Sequence, residues 1–515
     1  MLPTVRGTLQ DRLGKSRREV RGSFRGTRDK VDAGTRVVVI GGGIAGISAA
    51  CVLAERGVQV TLLEKETRLG GRMRSMPQML HTPDGDMPYE MGAFTAFYRH
   101  YYNVRGLLRR IDPELTGLRA LDDFSVLGPN GAIESFTNLP SAAPLNVLAL
   151  MRRTPFLSLQ DLRKLSTERT RQLLAFDPTK HFAIHDGMSA RQFLDELNLP
   201  PHAREMVFRV FTHAVFNDES SLSASEMLAS LHFYFLGNPE GMLFDVLEEP
   251  ANDALFVRME RYLKGMGVDI QLGVEATEIV REKGDFLRVL PSQGESILAS
   301  GLVMAQHAQG LRSLVEKSPD LNSDQGFVNS IHELQSSPSY VVWRLFFDKP
   351  ALDSRKPFVS VAGLGSLDTI TIQDRLEGES RRYAMRTGGS VVQLQSFALP
   401  NTLPDDAIKQ DLLGTLRSLY PELAEARVVG ESYVRREDCP AFAPGSYAQR
   451  PKVATPYGNV ALAGDFVRVP FPCALMERAT ASGFLAANML LDRWDVRGEA
   501  LYMIPPRGFM SSMIR

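Results

Sequence analysis

Long apolar runs are absent from this chain of 515 residues. No window approaches the ~18 uninterrupted apolar residues that a bilayer-spanning helix needs, so none is expected. Cysteine is scarce: Cys51, Cys439 and Cys473 stand far apart, with no metal-ligand spacing and no disulfide framework. No metal is expected, and a reducing, cytoplasmic setting is. Charge of one sign is lacking too, since the net charge is −1; that argues against a nucleic-acid partner. No apolar stretch follows the first basic residues, so a secretory leader is not expected. Residues 1–34 carry nine basic and four acidic side chains with almost no apolar periodicity. They are expected to be a disordered tail, with contact to an anionic membrane surface as the sharper reading.

What remains is ordinary for a globular protein: 44% hydrophobic and 23% charged residues. The length is too great for one core and implies two or more domains. The most informative stretch is 35–72. An apolar β-branched run (37–40) suits a strand buried on both faces. Gly41, Gly43 and Gly46 follow in G-x-G-x-x-G spacing, then a helical run (44–56), Gly57, a second β-branched run (58–63) and Glu64. The first glycine allows a tight turn, the second lets a pyrophosphate approach the backbone, and the third lets the helix lie on the strand. The helix N-terminus offers free N–H groups to phosphates. Glu64 is placed to accept hydrogen bonds from ribose hydroxyls.

The continuation Lys65-Glu66-Thr67-Arg68-Leu69-Gly70-Gly71-Arg72 resembles the L-G-G-R signature of FAD-dependent amine oxidases and polyene desaturases. The resemblance implies FAD, with Lys65, Gly71 and Arg72 beside its diphosphate. A second motif lies almost 400 residues on: an apolar strand (460–463), Gly464-Asp465, then a long helix (474–493) that includes Met476 and Glu477. In such flavoproteins the Asp465 carboxylate would meet a ribityl hydroxyl. The helix near Met476 would aim its dipole at the flavin, where negative charge builds on reduction. Gly92 and Ala93, in Glu90-Met91-Gly92-Ala93-Phe94, would let the backbone pass the flat ring, and a backbone group near Ala276 would meet the adenine edge.

Between these motifs, residues 104–236 read as mostly helical. The segment 142–157 is amphipathic, with Arg152 and Arg153 inside it, and suits either a core helix or one lying in a bilayer interface. The aromatic run 95–103 suits a packed face or the wall of an apolar pocket. His213, Glu226, His232 and Asp245 are polar residues set among aromatics, the usual make-up of a small-molecule pocket. Residues 255–305 return to α/β text, and 306–440 alternate strands with a helix at 405–419.

The fold class expected is α/β with mixed α+β character: a Rossmann-like FAD-binding domain made of discontinuous segments, with a substrate domain of mixed sheet plus a helical insert. The divisions are 1–34 tail, 35–105, 251–310 and 441–515 for the FAD-binding domain, 106–250 for the helical region, and 311–440 for the substrate sheet.

The segments 97–105, 234–241 and 463–480 resemble bacterial carotene desaturase/methyltransferases of the isorenieratene synthase type, over residues 35 to about 508. Glu90-Met91-Gly92-Ala93-Phe94 departs from the Glu-His-Gly-Phe-His of those enzymes. The resemblance implies FAD-dependent conversion of β-ionone rings to aromatic rings with a 1,2-methyl shift. It implies an apolar carotenoid partner and a peripheral position at the inner face of the cell membrane. A dry aromatic tunnel and one base are needed; Glu226, His213 and Glu477 are the candidates in that order. The alternatives are another FAD-dependent polyene desaturase or amine oxidase, or a non-catalytic escort-like protein that binds prenylated partners.

Overall fold

The computed structural model describes residues 18–20, 26–82, 85–92, 95–121, 123–140, 145–154, 158–213, 215–238, 240–508 and 511. Its first layer is a five-stranded parallel sheet in the order Asp269–Leu272, Gln59–Glu64, Arg36–Ile40, Gly301–Met304, Val460–Leu462. Three distant parts of the chain thus build one sheet. Residues 37–40, Gly301–Met304 and Val460–Leu462 are buried and lack polar side chains because both faces are covered there. Val37, Val39, Val60, Leu62 and Val303 pack under the helices. Val38, Ile40, Leu63, Leu302 and Met304 pack under a small antiparallel sheet and the helix Ala308–Glu316.

The helices Ile44–Glu55 and Leu475–Arg493 cross on the first of these faces. Their small residues allow a close crossing: a Cβ on Gly483 would stand 2.3 Å from the carbonyl oxygen of Ala45. The apolar run 297–305 forms two strands. Ile297–Ala299 joins the antiparallel sheet, the Ser300 N–H donates to the Arg36 carbonyl, and Gly301–Met304 continues in the parallel one.

The second layer is a seven-stranded sheet. Its order is Val428–Arg436, Ser339–Phe347, Ser390–Leu399, Thr369–Ile372, Phe358–Val361, Ser125–Leu127, Ile133–Ser135. Alternation sets its two faces. Val341, Trp343, Leu345 and Phe347 pack on the helix Asp405–Leu419 through Ile408, Leu412 and Leu416. Tyr340 faces the other way and lines the cavity described below. The helical reading of 104–236 is corrected here: Ser125–Leu127 and Ile133–Ser135 extend this sheet, and Leu118–Leu121 pairs with Phe244–Leu247.

The expected tail is also corrected where it is described. Arg18–Val20 pairs antiparallel with Leu501–Met503. The N–H groups of Thr27 and Arg28 donate to the Asp495 carbonyl at 3.1 and 3.0 Å, and that of Val31 donates to Arg56 at 3.0 Å. Backbone pairing, which needs no apolar side chains, docks these residues on the parallel sheet domain. Residues 1–17 and 21–25 lie outside the described residues.

Candidate active site

One continuous cavity of about 740 Å³ runs from the glycine turn to the face of the large sheet. At the glycine end the strand Arg36–Ile40 stops at Gly41, whose φ of 107° carries the turn. Gly46 sits where the helix leans on that turn: a Cβ there would stand 1.9 Å from the Gly41 carbonyl oxygen. Gly43 and Gly71 face each other backbone to backbone, with a Cβ on Gly71 falling 3.1 Å from Gly43 Cα. The helix Ile44–Glu55 has no side-chain cap at its N-terminus, so its first N–H groups remain available. Glu64 is buried; it accepts from the Gly42 N–H at 2.6 Å and the Glu66 N–H at 2.9 Å. Lys65, Arg72 and Ala276 line the same stretch.

The last strand delivers Gly464 and Asp465 to this cleft from the opposite side. Asp465 pairs with Arg72 at 2.6 Å, and Arg72 also donates to Cys439 Sγ at 3.2 Å. Leu475, Met476 and Ala479 bring the first turn of the helix Leu475–Arg493 to the wall, again with no side-chain cap. A glycine-walled gap, two uncapped helix N-termini and two carboxylates fit a dinucleotide with a diphosphate and two hydroxyl-bearing sugars. Gly92 does not line the cavity; its carbonyl accepts from Arg344 at 2.8 Å. Ala93 lies outside the described residues.

The far end is aromatic. Tyr98, Tyr101 and Tyr234 line it, with Tyr98 rings 5.4 and 5.1 Å from the other two and the hydroxyls of Tyr101 and Tyr234 2.7 Å apart. Burial pushes all three phenols up, so they stay neutral. Phe216 completes the wall against Tyr340 and Phe397, with centroids at 5.0 and 5.1 Å. Polar side chains interrupt this wall, among them Ser360, Thr369 and Gln395 on the large sheet and a group around His213. His213 Nδ1 lies 2.8 Å from Asp368 Oδ1, and the Arg209 guanidinium lies 3.4 Å from the same oxygen. All three side chains line the cavity.

Of the three expected bases, only His213 reaches the cavity. Glu226 does not line it; its oxygens are held by Arg450 at 2.7 Å and Arg478 at 3.1 Å. Burial works against its charge, but the two guanidinium groups outweigh burial and hold its carboxyl below the ordinary value. A carboxylate so held is a poor proton acceptor. Glu477 is buried away from the cavity and accepts from the backbone N–H groups of Asn103 and Val104 at 2.9 and 3.0 Å. It ties two helix starts together. His232 is buried against the Pro505 carbonyl at 2.8 Å, and burial lowers its pKa to about 4. Asp245 is paired with Arg105 at 2.5 Å. Asp368, Arg209 and Gln395 line the cavity and carried no signal in the sequence, because no spacing links a lone acid to a histidine 155 residues away.

A glycine turn after the first strand, an acid at the end of the second and a carboxylate returned by the last strand define a dinucleotide-dependent oxidoreductase with a split cofactor domain. The sequence profile described as flavin containing amine oxidoreductase matches residues 44–491. The chain belongs to that family, whose cofactor is a flavin. Over 472 residues it is 40% identical to a carotenoid phi-ring synthase of Streptomyces griseus, covering 92% of this chain and 90% of the relative. A carotenoid phi-ring synthase of Chlorobaculum tepidum is 24% identical, over 94% and 92% of the two chains. Wild-type putrescine oxidase bound to putrescine shares the fold with a TM-score of 0.63, at 15% identity over 89% of this chain and 99% of that one.

Proposed function

We propose that this protein is an FAD-dependent carotenoid ring-aromatising enzyme that turns β-ionone end groups into aromatic rings with a 1,2-methyl shift. The similarity to carotenoid phi-ring synthases supports the substrate class. The observation that carries the reading is the single cavity that joins the glycine cleft to an aromatic chamber holding one histidine–carboxylate pair. Bound flavin supplies a two-electron hydride acceptor. Gly43, Gly71 and Arg72 would hold its diphosphate, Glu64 and Ala276 its adenosine, and Asp465 and Met476 its ribityl and ring end.

Aromatising one ring removes four hydrogens, counted as two hydride equivalents and two protons, while every methyl carbon is kept. The chain's own residues answer the remaining demands. Tyr98, Tyr101 and Tyr234 exclude water and offer ring faces to the positive charge that precedes the methyl shift. His213 takes a ring proton at Nε2. The exposed apolar face of the helix Leu145–Arg153 rests on the membrane from which a polyene is drawn.

The test is expression in cells that make β-carotene, followed by pigment chromatography and mass spectrometry. Aromatic carotenoids with four fewer hydrogens per ring are expected. Unchanged β-carotene alongside a flavin-loaded protein would reject the aromatisation reading.

A further inference from the structure

We propose that Asp368 is a positioning residue that fixes the tautomer of His213 and so presents its Nε2 lone pair to the cavity. The proposal rests on the reading of His213 as the proton acceptor. His213 ends the helix Arg209–His213, and Asp368 immediately precedes the strand Thr369–Ile372. Neither element is near the other in sequence; the fold brings them together at 2.8 Å. Asp368 is buried, and its second oxygen accepts from the Phe397 N–H at 2.7 Å. An ionised carboxylate only accepts hydrogen bonds, so the hydrogen must sit on His213 Nδ1 and Nε2 is left as the base.

Arg209 completes the set. Burial opposes its charge, yet Asp368 and Glu205 hold its pKa above the ordinary value. Its Nε is buried with no hydrogen-bond partner among the described residues. Its guanidinium lies 3.4 Å from the same Asp368 oxygen that meets His213, so the carboxylate is gripped from both sides. The backbone is also held here. Phe216 adopts a φ of 61°, unusual for a bulky residue, and its N–H donates to the His213 carbonyl at 2.9 Å. The helix enters through a π-helical turn, Arg204–Phe208, a distortion found often at functional sites. In the step itself, a ring C–H bond breaks and its electron pair joins the ring π system. The proton bonds to Nε2, and the imidazolium is balanced by Asp368.

The experiment compares wild type, His213→Gln, Asp368→Asn and Asp368→Glu as flavin-loaded proteins acting on carotene in vesicles. Nitrogen-15 spectra of labelled histidine provide a readout independent of turnover. His213→Gln is expected to lower kcat by roughly 10²- to 10⁴-fold. Asp368→Asn should lower kcat by about 10- to 100-fold with KM and flavin content unchanged, and Asp368→Glu should recover most of the loss. The groups facing His213 are Asp368, Arg209 and Asp218. Wild type should show the Nδ1–H tautomer, and Asp368→Asn a mixture. Wild-type kcat in His213→Gln would reject the base assignment itself. An impaired His213→Gln beside an Asp368→Asn protein with unchanged kcat would overturn the positioning role alone. An Nε2–H tautomer in wild type would overturn it whatever the variants do.

Discussion

Gly43 and Gly46 lie within one turn of the same motif, yet the structure gives them different work. A methyl on Gly46 would stand 1.9 Å from a backbone carbonyl, which cannot move without parting helix from strand. A methyl on Gly43 meets nothing nearer than Gly71 Cα at 3.9 Å, and the φ of −75° there suits alanine. The Gly43 methyl would instead fill the gap between the two glycine backbones. Gly46→Ala is therefore expected to destabilise the protein by about 1–3 kcal/mol or more through overpacking, seen as a lower Tm or loss of soluble protein. Gly43→Ala should leave the Tm of the flavin-free protein unchanged and weaken flavin binding at least tenfold, read by titration of flavin fluorescence. Equal effects on Tm would show that the two glycines are not separable in this way.

At the scale of elements, one buried carboxyl group ties an early helix to the last one. Glu477, in the first turn of the helix Leu475–Arg493, accepts from the start of the helix Tyr102–Leu108. Burial pushes its pKa up from 4.5 to about 7, and the N–H donors of Asn103 and Val104 oppose that rise. The folded protein thus binds this proton more tightly than the unfolded chain. The resulting stability is full below the unfolded value of 4.5 and is lost as pH rises through about 7. Tm should fall between about pH 5 and pH 8 more steeply in wild type than in Glu477→Gln, which keeps the shape but cannot titrate. Identical slopes would show that Glu477 does not titrate in this window. Glu477→Ala, which leaves the N–H donors without an acceptor, should cost about 1–3 kcal/mol at any pH.

Elements also show where the sequence could be read. The helix Asp405–Leu419 stands with the bounds its pattern predicts, because Ile408, Leu412 and Leu416 repeat every four residues above the sheet. The strands Ser125–Leu127 and Ile133–Ser135 have three residues each, too few for alternation to register. The same contrast holds within the cavity. Gly41, Gly43 and Glu64 are local in sequence and were legible as one motif. His213 and Asp368 meet only because the large sheet returns beside the helix Arg209–His213, and no local pattern encodes that.

At the scale of the whole molecule, a rod-like polyene must reach a chamber lined by buried tyrosines. Among the described residues no helix is long and apolar enough to cross a membrane. The helix Leu145–Arg153 instead shows Leu145 and Leu148 to solvent, 57% and 53% exposed, three residues apart and so on one side. Arg152 and Arg153 stand in its last turn. The opposite side is anchored: Leu150 is buried, and Asn146 donates to the Phe235 carbonyl at 2.9 Å beside the aromatic cluster. Residues 142–144 and 155–157 of the expected amphipathic segment lie outside the described residues. Each leucine is already about half buried, so taking it into a lipid interface would gain half of the ~1.5–3 kcal/mol of a full burial, and each arginine near an anionic surface about 1 kcal/mol more. The sum is enough for reversible docking. Wild-type protein should co-sediment with vesicles containing an anionic phospholipid and be partly released by raised salt, which screens only the arginine share. Leu145→Glu/Leu148→Glu should remain in the supernatant with flavin content and Tm unchanged. It should also process carotene dissolved in detergent normally while failing on carotene in vesicles. Undiminished co-sedimentation of that double variant would place the membrane contact elsewhere on the molecule.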